Sequence, residues 1–161
     1  MIFVTVGTQD KQFKRLLEEV ERLIKNGKII DTVIAQIGNT KFTTDLDSKY
    51  MHLIEFTTPR EVEALIQNAE LIITHGGVAT IIEGLNMNKK IIAVPRLKKY
   101  KEHVNDHQLQ IIENFNNSGY IIGTTGVEGI EEALEKAQDF VPKTYVSNNE
   151  KFVQKLENCI I

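Results

Sequence analysis

The chain has 161 residues, enough for one substantial core, and its 42% hydrophobic and 25% charged content is that of an ordinary globular protein. A net charge of −3 offers no broad basic excess for nucleic-acid phosphates, no run approaches the roughly 20 apolar residues that span a bilayer, and residues 1–6 lack the basic region of a signal peptide. The lone Cys159 excludes an intramolecular disulfide and argues against a structural zinc cluster, so a cytoplasmic setting is the expectation.

Residues 1–6 form an apolar run that ends at Gly7-Thr8 and predicts a first strand. Phe13, Leu16, Leu17, Val20, Leu23 and Ile24 then recur at helical spacing until Asn26-Gly27 stops them. A second strand is expected over 32–37, a polar loop over 39–50 and a third strand over 52–56. Thr57-Thr58-Pro59 with Glu61 predicts a capped helix start, and Val62, Leu65, Ile66 and Ala69 give that helix its apolar face. The apolar run at 71–74 breaks at Gly76-Gly77 into a helix that reaches about residue 87. A fifth strand over 90–94 ends at Pro95, and a basic loop follows with Arg96, Lys98, Lys99 and Lys101. A helix over 104–116, a short strand over 120–122, a helix over 127–138 and a tail helix over about 148–158 complete the chain. Apolar strands alternating with helices predict one α/β domain over 1–161, with a doubly wound, Rossmann-like parallel sheet.

The chemically suggestive segments all fall where a strand ends: Gly7-Thr8, Gly38-Asn39, residues 75–80 and residues 96–108. Open α/β sheets bind ligands along that edge. Gly76-Gly77 at a helix start suits a phosphate group, since glycine permits close backbone approach and the helix N-terminus favours an anion. It is equally an ordinary tight turn. His75 can donate to a phosphate oxygen or be a satisfied strand-end histidine. Glu83, about two turns along, can accept from sugar hydroxyls or be a solvated helix position, and Thr80 can be a ligand contact or a helix-start hydroxyl. Arg96–Lys101 reads as a solvated loop, a diphosphate clamp or a patch for anionic lipid or a partner. His103 and His107 have a spacing that can bind metal, but no HExxH pattern or third ligand accompanies them. Gly7-Thr8-Gln9 lacks the Gly-Lys-Ser/Thr ending of a nucleoside triphosphatase loop, and no GxGxxG follows the first strand.

Two segments in order, His75-Gly-Gly-Val-Ala-Thr-Ile-Ile-Glu83 and Asn105-Asp-His-Gln108, resemble the C-terminal half of the family 28 glycosyltransferases, which have the two-domain GT-B architecture. With Val4-Thr-Val-Gly-Thr-Gln9 and the chain length, the resemblance is to the small soluble subunits of split enzymes of that family, in capsule or exopolysaccharide synthesis and in lipid-linked glycan assembly. The resemblance implies that Gly76, Gly77, Val78 and Thr80 surround a UDP-sugar diphosphate and that Glu83 holds the ribose. It puts Asp106, His107 and Gln108 near the transferred sugar, Arg96 near the nucleotide, and Gly7 and Thr8 at the cleft. It further implies inverting transfer without a metal or other cofactor. A partner associated with the membrane would supply the acceptor site for a lipid-linked glycan and bring the chain to the inner face of that membrane. A stabilising subunit without turnover of its own is the alternative, and no catalytic base is assigned.

Overall fold

Strand-forming residues buried on both faces dictate the centre of the molecule. A computed structural model describes residues 1–146; the expected tail helix, with Phe152, Val153, Leu156 and Ile160, lies outside the described residues. Six parallel strands, β1 (Ile2–Thr5), β2 (Val33–Gln36), β3 (Met51–Ile54), β4 (Leu71–His75), β5 (Lys90–Val94) and β6 (Ile122–Gly123), lie in the order β3-β2-β1-β4-β5-β6. Alternating side chains serve opposite faces, as the pleat requires. Val4, Ile73 and Ile92 join one core, whereas Phe3, Ile72 and Ile91 join another.

The first core is closed by α1 (Lys14–Lys25), through Leu16, Leu17, Val20 and Leu23, and by α5 (Ile130–Asp139), through Ile130, Ala133 and Ala137. On the other face lie α2 (Pro59–Asn68), α3 (Val78–Asn86) and α4 (His107–Asn117), through Ile66, Ile81, Leu85, Ile111 and Phe115. Helices on both faces of a parallel sheet complete the doubly wound, Rossmann-like fold. Among the described residues no helix is long and apolar enough to cross a membrane.

The local start and stop signals act as the sequence suggests. Thr58 caps α2, its hydroxyl accepting from the Glu61 N–H while the Glu61 carboxylate accepts from the Thr58 N–H, and Pro59 occupies the first turn. Two boundaries differ from expectation. The helix expected from 104 begins at His107, because the Asn105 side chain accepts from the His107 N–H (3.1 Å) and the Asp106 carboxylate from the Lys98 N–H (2.8 Å), which hold 104–106 in an irregular turn. The basic loop contains a short 3-10 turn at Lys98–Tyr100.

The chain runs outward through β1, β2 and β3, then returns to lay β4 against the other side of β1. The strand order reverses there, so the connections leaving β1 and β4 diverge to opposite faces and leave a crevice beyond the strand ends.

Candidate functional site

A cavity of about 160 Å³ occupies that crevice, lined by Gln9, His75, Gly76, Gly77 and Val78 and, from the loop ahead of α4 and its first turns, His103, Asn105, His107, Gln108 and Ile111. The N-termini of α3 and α4 both meet it, since Val78 and His107 are their first residues. Positive ends of two helix dipoles thus face one small space, a setting that favours negative charge.

His75 ends β4 and is only 7% exposed. Its Nε2 lies between the ends of β1 and β4, where a Cβ on Gly7 would stand 2.5 Å from it and one on Gly77 2.7 Å. Gly7 also has φ +77°, a left-handed conformation that costs any other residue strain. The glycines read from the sequence as room for a ligand's approach therefore make room first for an imidazole. Gln108 closes the other side, with Nε2 3.2 Å from His75 Nδ1 and Oε1 accepting from the N–H groups of Gly76 (3.1 Å) and Arg96 (3.0 Å).

Burial, then the charges of Arg96 and His103, hold the His75 pKa down to about 3 from the ordinary 6.5, so the ring is neutral at physiological pH. An unfolded chain takes up this proton near 6.5 and the native one does not until about 3. The stabilisation from this group is therefore whole above pH 6.5 and is lost progressively as pH falls toward 3, by at most about 1.4 kcal/mol per pH unit. Urea denaturation at pH 7 and pH 5 should show a larger drop for the parent than for His75→Gln. Equal drops would mean that the ring is protonated in the native state.

The remaining expected residues divide by place. Gly76, Gly77, Val78, His107 and Gln108 line the cavity with His75; Thr80 and Glu83 lie farther along α3, both partly exposed. Burial, then the charge of Glu63 on α2, push the Glu83 carboxyl pKa up. Thr8 lies exposed in the loop after β1, where its carbonyl accepts from Asn39 (3.1 Å), and Gly7 is half-buried at the strand end. Asp106 is exposed and engaged with the Lys98 N–H, apart from the residues that line the cavity.

Arg96 is the clear departure. Expected near the nucleotide, it is 0% exposed, and its guanidinium donates to the carbonyls of Val6, Lys11 (2.8 Å) and Glu102 (3.2 Å) with Phe13 beneath it at 5.1 Å. Burial lowers its pKa to about 10 against the opposing pull of Glu102 and Asp10. A side chain held on these three backbone groups is a strut between loops, and its charge reaches the cavity as a field on His75 and His103.

Gln9, His103, Asn105 and Ile111 also reach the cavity without having been singled out as ligand contacts; Gln9 and Asn105 stood inside the motifs quoted above, His103 had its spacing from His107, and Ile111 carried no signal. That spacing does not place the two rings on one helix, since α4 starts at His107 and His103 Nδ1 accepts from the Asn105 N–H (3.3 Å). Among the described residues no group of three or more His, Cys, Asp or Glu side chains is placed to hold a metal ion.

Comparison with known proteins agrees with this fold. The model of the Glycosyltransferase family 28 C-terminal domain matches residues 1–160. Two UDP-N-acetylglucosamine transferase subunits named ALG13 are similar: one from Candida glabrata, 32% identical over 93 residues (55% of this chain, 44% of the relative), and one from Candida albicans, 31% identical over 72 residues (45% and 23%). The matches thus span less than half the length of these curated relatives. The solution structure of ALG13 superposes with a TM-score of 0.63 at 22% identity, over 96% of this chain and 94% of that one. A variant of Os79 from O. sativa, solved in complex with UDP, superposes with a TM-score of 0.63 at 14% identity over 99% of this chain and 35% of that one. At these identities the superpositions speak for the fold.

Proposed function

The chain belongs to the glycosyltransferase family 28 C-terminal domain family, and on that basis we propose that it is the donor-binding subunit of an inverting, UDP-sugar-dependent glycosyltransferase. One observation carries the reading: the cavity at the β1/β4 switch point, faced by two helix N-termini and by a neutral histidine without an acceptor for Nε2 among the described residues. In this role the first N–H groups of α3 and the His75 ring receive the donor diphosphate. Attack by an acceptor hydroxyl on the anomeric carbon, its proton passing to a base that the partner chain supplies, breaks the bond to the diphosphate oxygen, and the negative charge that develops there is stabilised by fixed dipoles already in place. This stabilisation requires no metal. UDP-N-acetylglucosamine is the first donor to test, because the ALG13 relatives are named for it, and their designation as subunits supports a partner chain that supplies the acceptor site and the membrane association.

Calorimetry with UDP should show binding by the chain that persists in the presence of a chelator. Glu83→Ala should weaken it by about 1–3 kcal/mol, the scale of lost hydrogen bonds to a charged group, while relieving the repulsion from Glu63 and so leaving stability unchanged or raised. Parent-like UDP affinity in that variant would assign Glu83 to the α2–α3 surface alone.

Transfer to a lipid-linked acceptor should be absent from the purified chain and appear when the membrane-associated partner is added. A GT-B active site lies between two domains, and the cavity described above lies beside the strand ends of one. Robust transfer by the chain alone would overturn the subunit reading, while donor binding with no partner-dependent turnover would make it a stabilising component.

A further inference from the structure

We propose that Gln108 is a positioning residue that fixes the buried His75 ring as its Nε2–H tautomer, so that the imidazole presents a hydrogen-bond donor, and not a lone pair, to an anionic ligand between Gly7 and Gly77. The ligand clause rests on the function proposed above; the tautomer does not.

The argument is one of valence. Gln108 is 4% exposed, and one of its amide atoms lies 3.1 Å from the Gly76 nitrogen and 3.0 Å from the Arg96 nitrogen. Both of those are backbone donors, so the atom between them is the carbonyl oxygen, with its two lone pairs used. The other amide atom is then the nitrogen, a donor only, and it faces His75 Nδ1 at 3.2 Å. A proton on Nδ1 would set donor against donor in a buried space. Nδ1 is therefore the acceptor and the ring proton resides on Nε2, which rules out the imidazolium as well as the other tautomer. The low proton affinity of the buried ring agrees with this.

Nε2–H in turn points where the backbone was cleared for it, between Gly7 and Gly77 and beside the first turn of α3. Among the described residues no acceptor engages it. An anion there would complete its hydrogen bonding and would meet the donor end of the ring. The chain of contacts runs from the start of α4 through Gln108 to the ends of β4 and β5, so one side chain sets the registry of three elements and the polarity of the cavity. The Gln108 oxygen is consumed by the backbone and one of its two amide N–H groups by His75, so its effect on an anion at Nε2 passes through the ring.

The full chain, labelled with nitrogen-15 in histidine, tests this by long-range proton–nitrogen correlation at pH 7, with His75→Gln identifying the His75 signals. A single His75 form with protonated Nε2 and bare Nδ1 is expected. A ring protonated on Nδ1, or exchanging between tautomers, overturns the proposal without any Gln108 variant having to fold. In Gln108→Glu, whose second oxygen accepts instead of donating, the proton should appear on Nδ1; an unchanged ring would overturn the proposal. UDP titrations of Gln108→Met, His75→Gln and the double variant complete the test. Each single change should weaken binding about tenfold, and the double should be no weaker than either, because Gln108 acts through the ring. Additive losses would mean that Gln108 serves the ligand directly. Failure of the parent to bind UDP would sink the proposed function while leaving the tautomer result to stand or fall separately.

Discussion

Replacing Arg96 with methionine should destabilise the protein by about 3–5 kcal/mol, the range for removing one partner from a buried, hydrogen-bonded charge cluster. Methionine matches much of the side chain's length, so the loss comes from chemistry more than from volume. The carbonyls of Val6, Lys11 and Glu102 lose their donors, and each buried orphan costs about 1–3 kcal/mol unless water reaches it. The charge balance suffers too. Glu102, 3% exposed, is gripped by Arg15 through two contacts of 2.6 and 3.0 Å and accepts from the Leu97 N–H at 2.9 Å, and Arg96 belongs to the same group of charges. Against the total of about 5–15 kcal/mol typical of a domain, this is a large fraction. Urea denaturation of Arg96→Met and Arg96→Lys against the parent measures it. Lysine should fall between the two, since an ammonium keeps the charge but cannot reproduce a planar fork across three carbonyls. If Arg96→Lys instead keeps parent stability and loses UDP binding, the residue is a ligand contact and the strut assignment is wrong.

Gly7→Ala should cost about 2–5 kcal/mol and remove most UDP binding. Two terms add: roughly 1–2 kcal/mol for a left-handed backbone at a residue with Cβ, and about 1–3 kcal/mol for overpacking against the imidazole. The new methyl would stand 2.5 Å from His75 Nε2, and the ring is held from behind by Gln108, so it can move only by breaking that contact. Gly77→Ala provides the comparison. Its φ of −73° suits any residue, which leaves only the clash at 2.5 Å with His75 Cε1. Gly77→Ala should therefore be less destabilising by about the backbone term, yet similarly damaging to UDP binding, because both methyls displace the same ring. Thermal melts and calorimetry on the two variants separate these effects. Equal stabilities would show that the Gly7 conformation carries no strain, and undiminished UDP binding in both would place the ligand away from His75.

These variants also mark the boundary between what was legible in the chain and what was not. Residues 71–84 announce themselves because they combine an apolar strand, a Gly-Gly turn and a helix start within a short span, and each of these signals is read from near neighbours. The capping box at Thr58 and the amphipathic pattern of α1 are local in the same way, and so were readable. The start of α4 was misplaced because side chains of Asn105 and Asp106 satisfy backbone groups that would otherwise enter the helix, one of them across a loop.

Arg96 illustrates the other kind of fact. In the sequence it is one of four cations in seven residues after a strand, and a solvent-facing or ligand-facing role suits that setting. Two of its three carbonyl partners, those of residues 6 and 11, lie some ninety positions away, and only the pairing of β4 with both β1 and β5 brings them within reach. The same holds for Gln108, whose oxygen meets Gly76 thirty-two residues distant, and for Gly7, whose missing side chain is explained by a histidine sixty-eight residues on. By itself the sequence determined the alternating α/β pattern and the strand ends, because periodicity, capping and turn chemistry are set within a few residues, and its short motifs carried the resemblance to the family. Tertiary structure alone decided which polar groups face the cavity and which are spent on the backbone. A side chain's hydrogen-bonding capacity is finite, and the groups that claim it here lie far away along the chain.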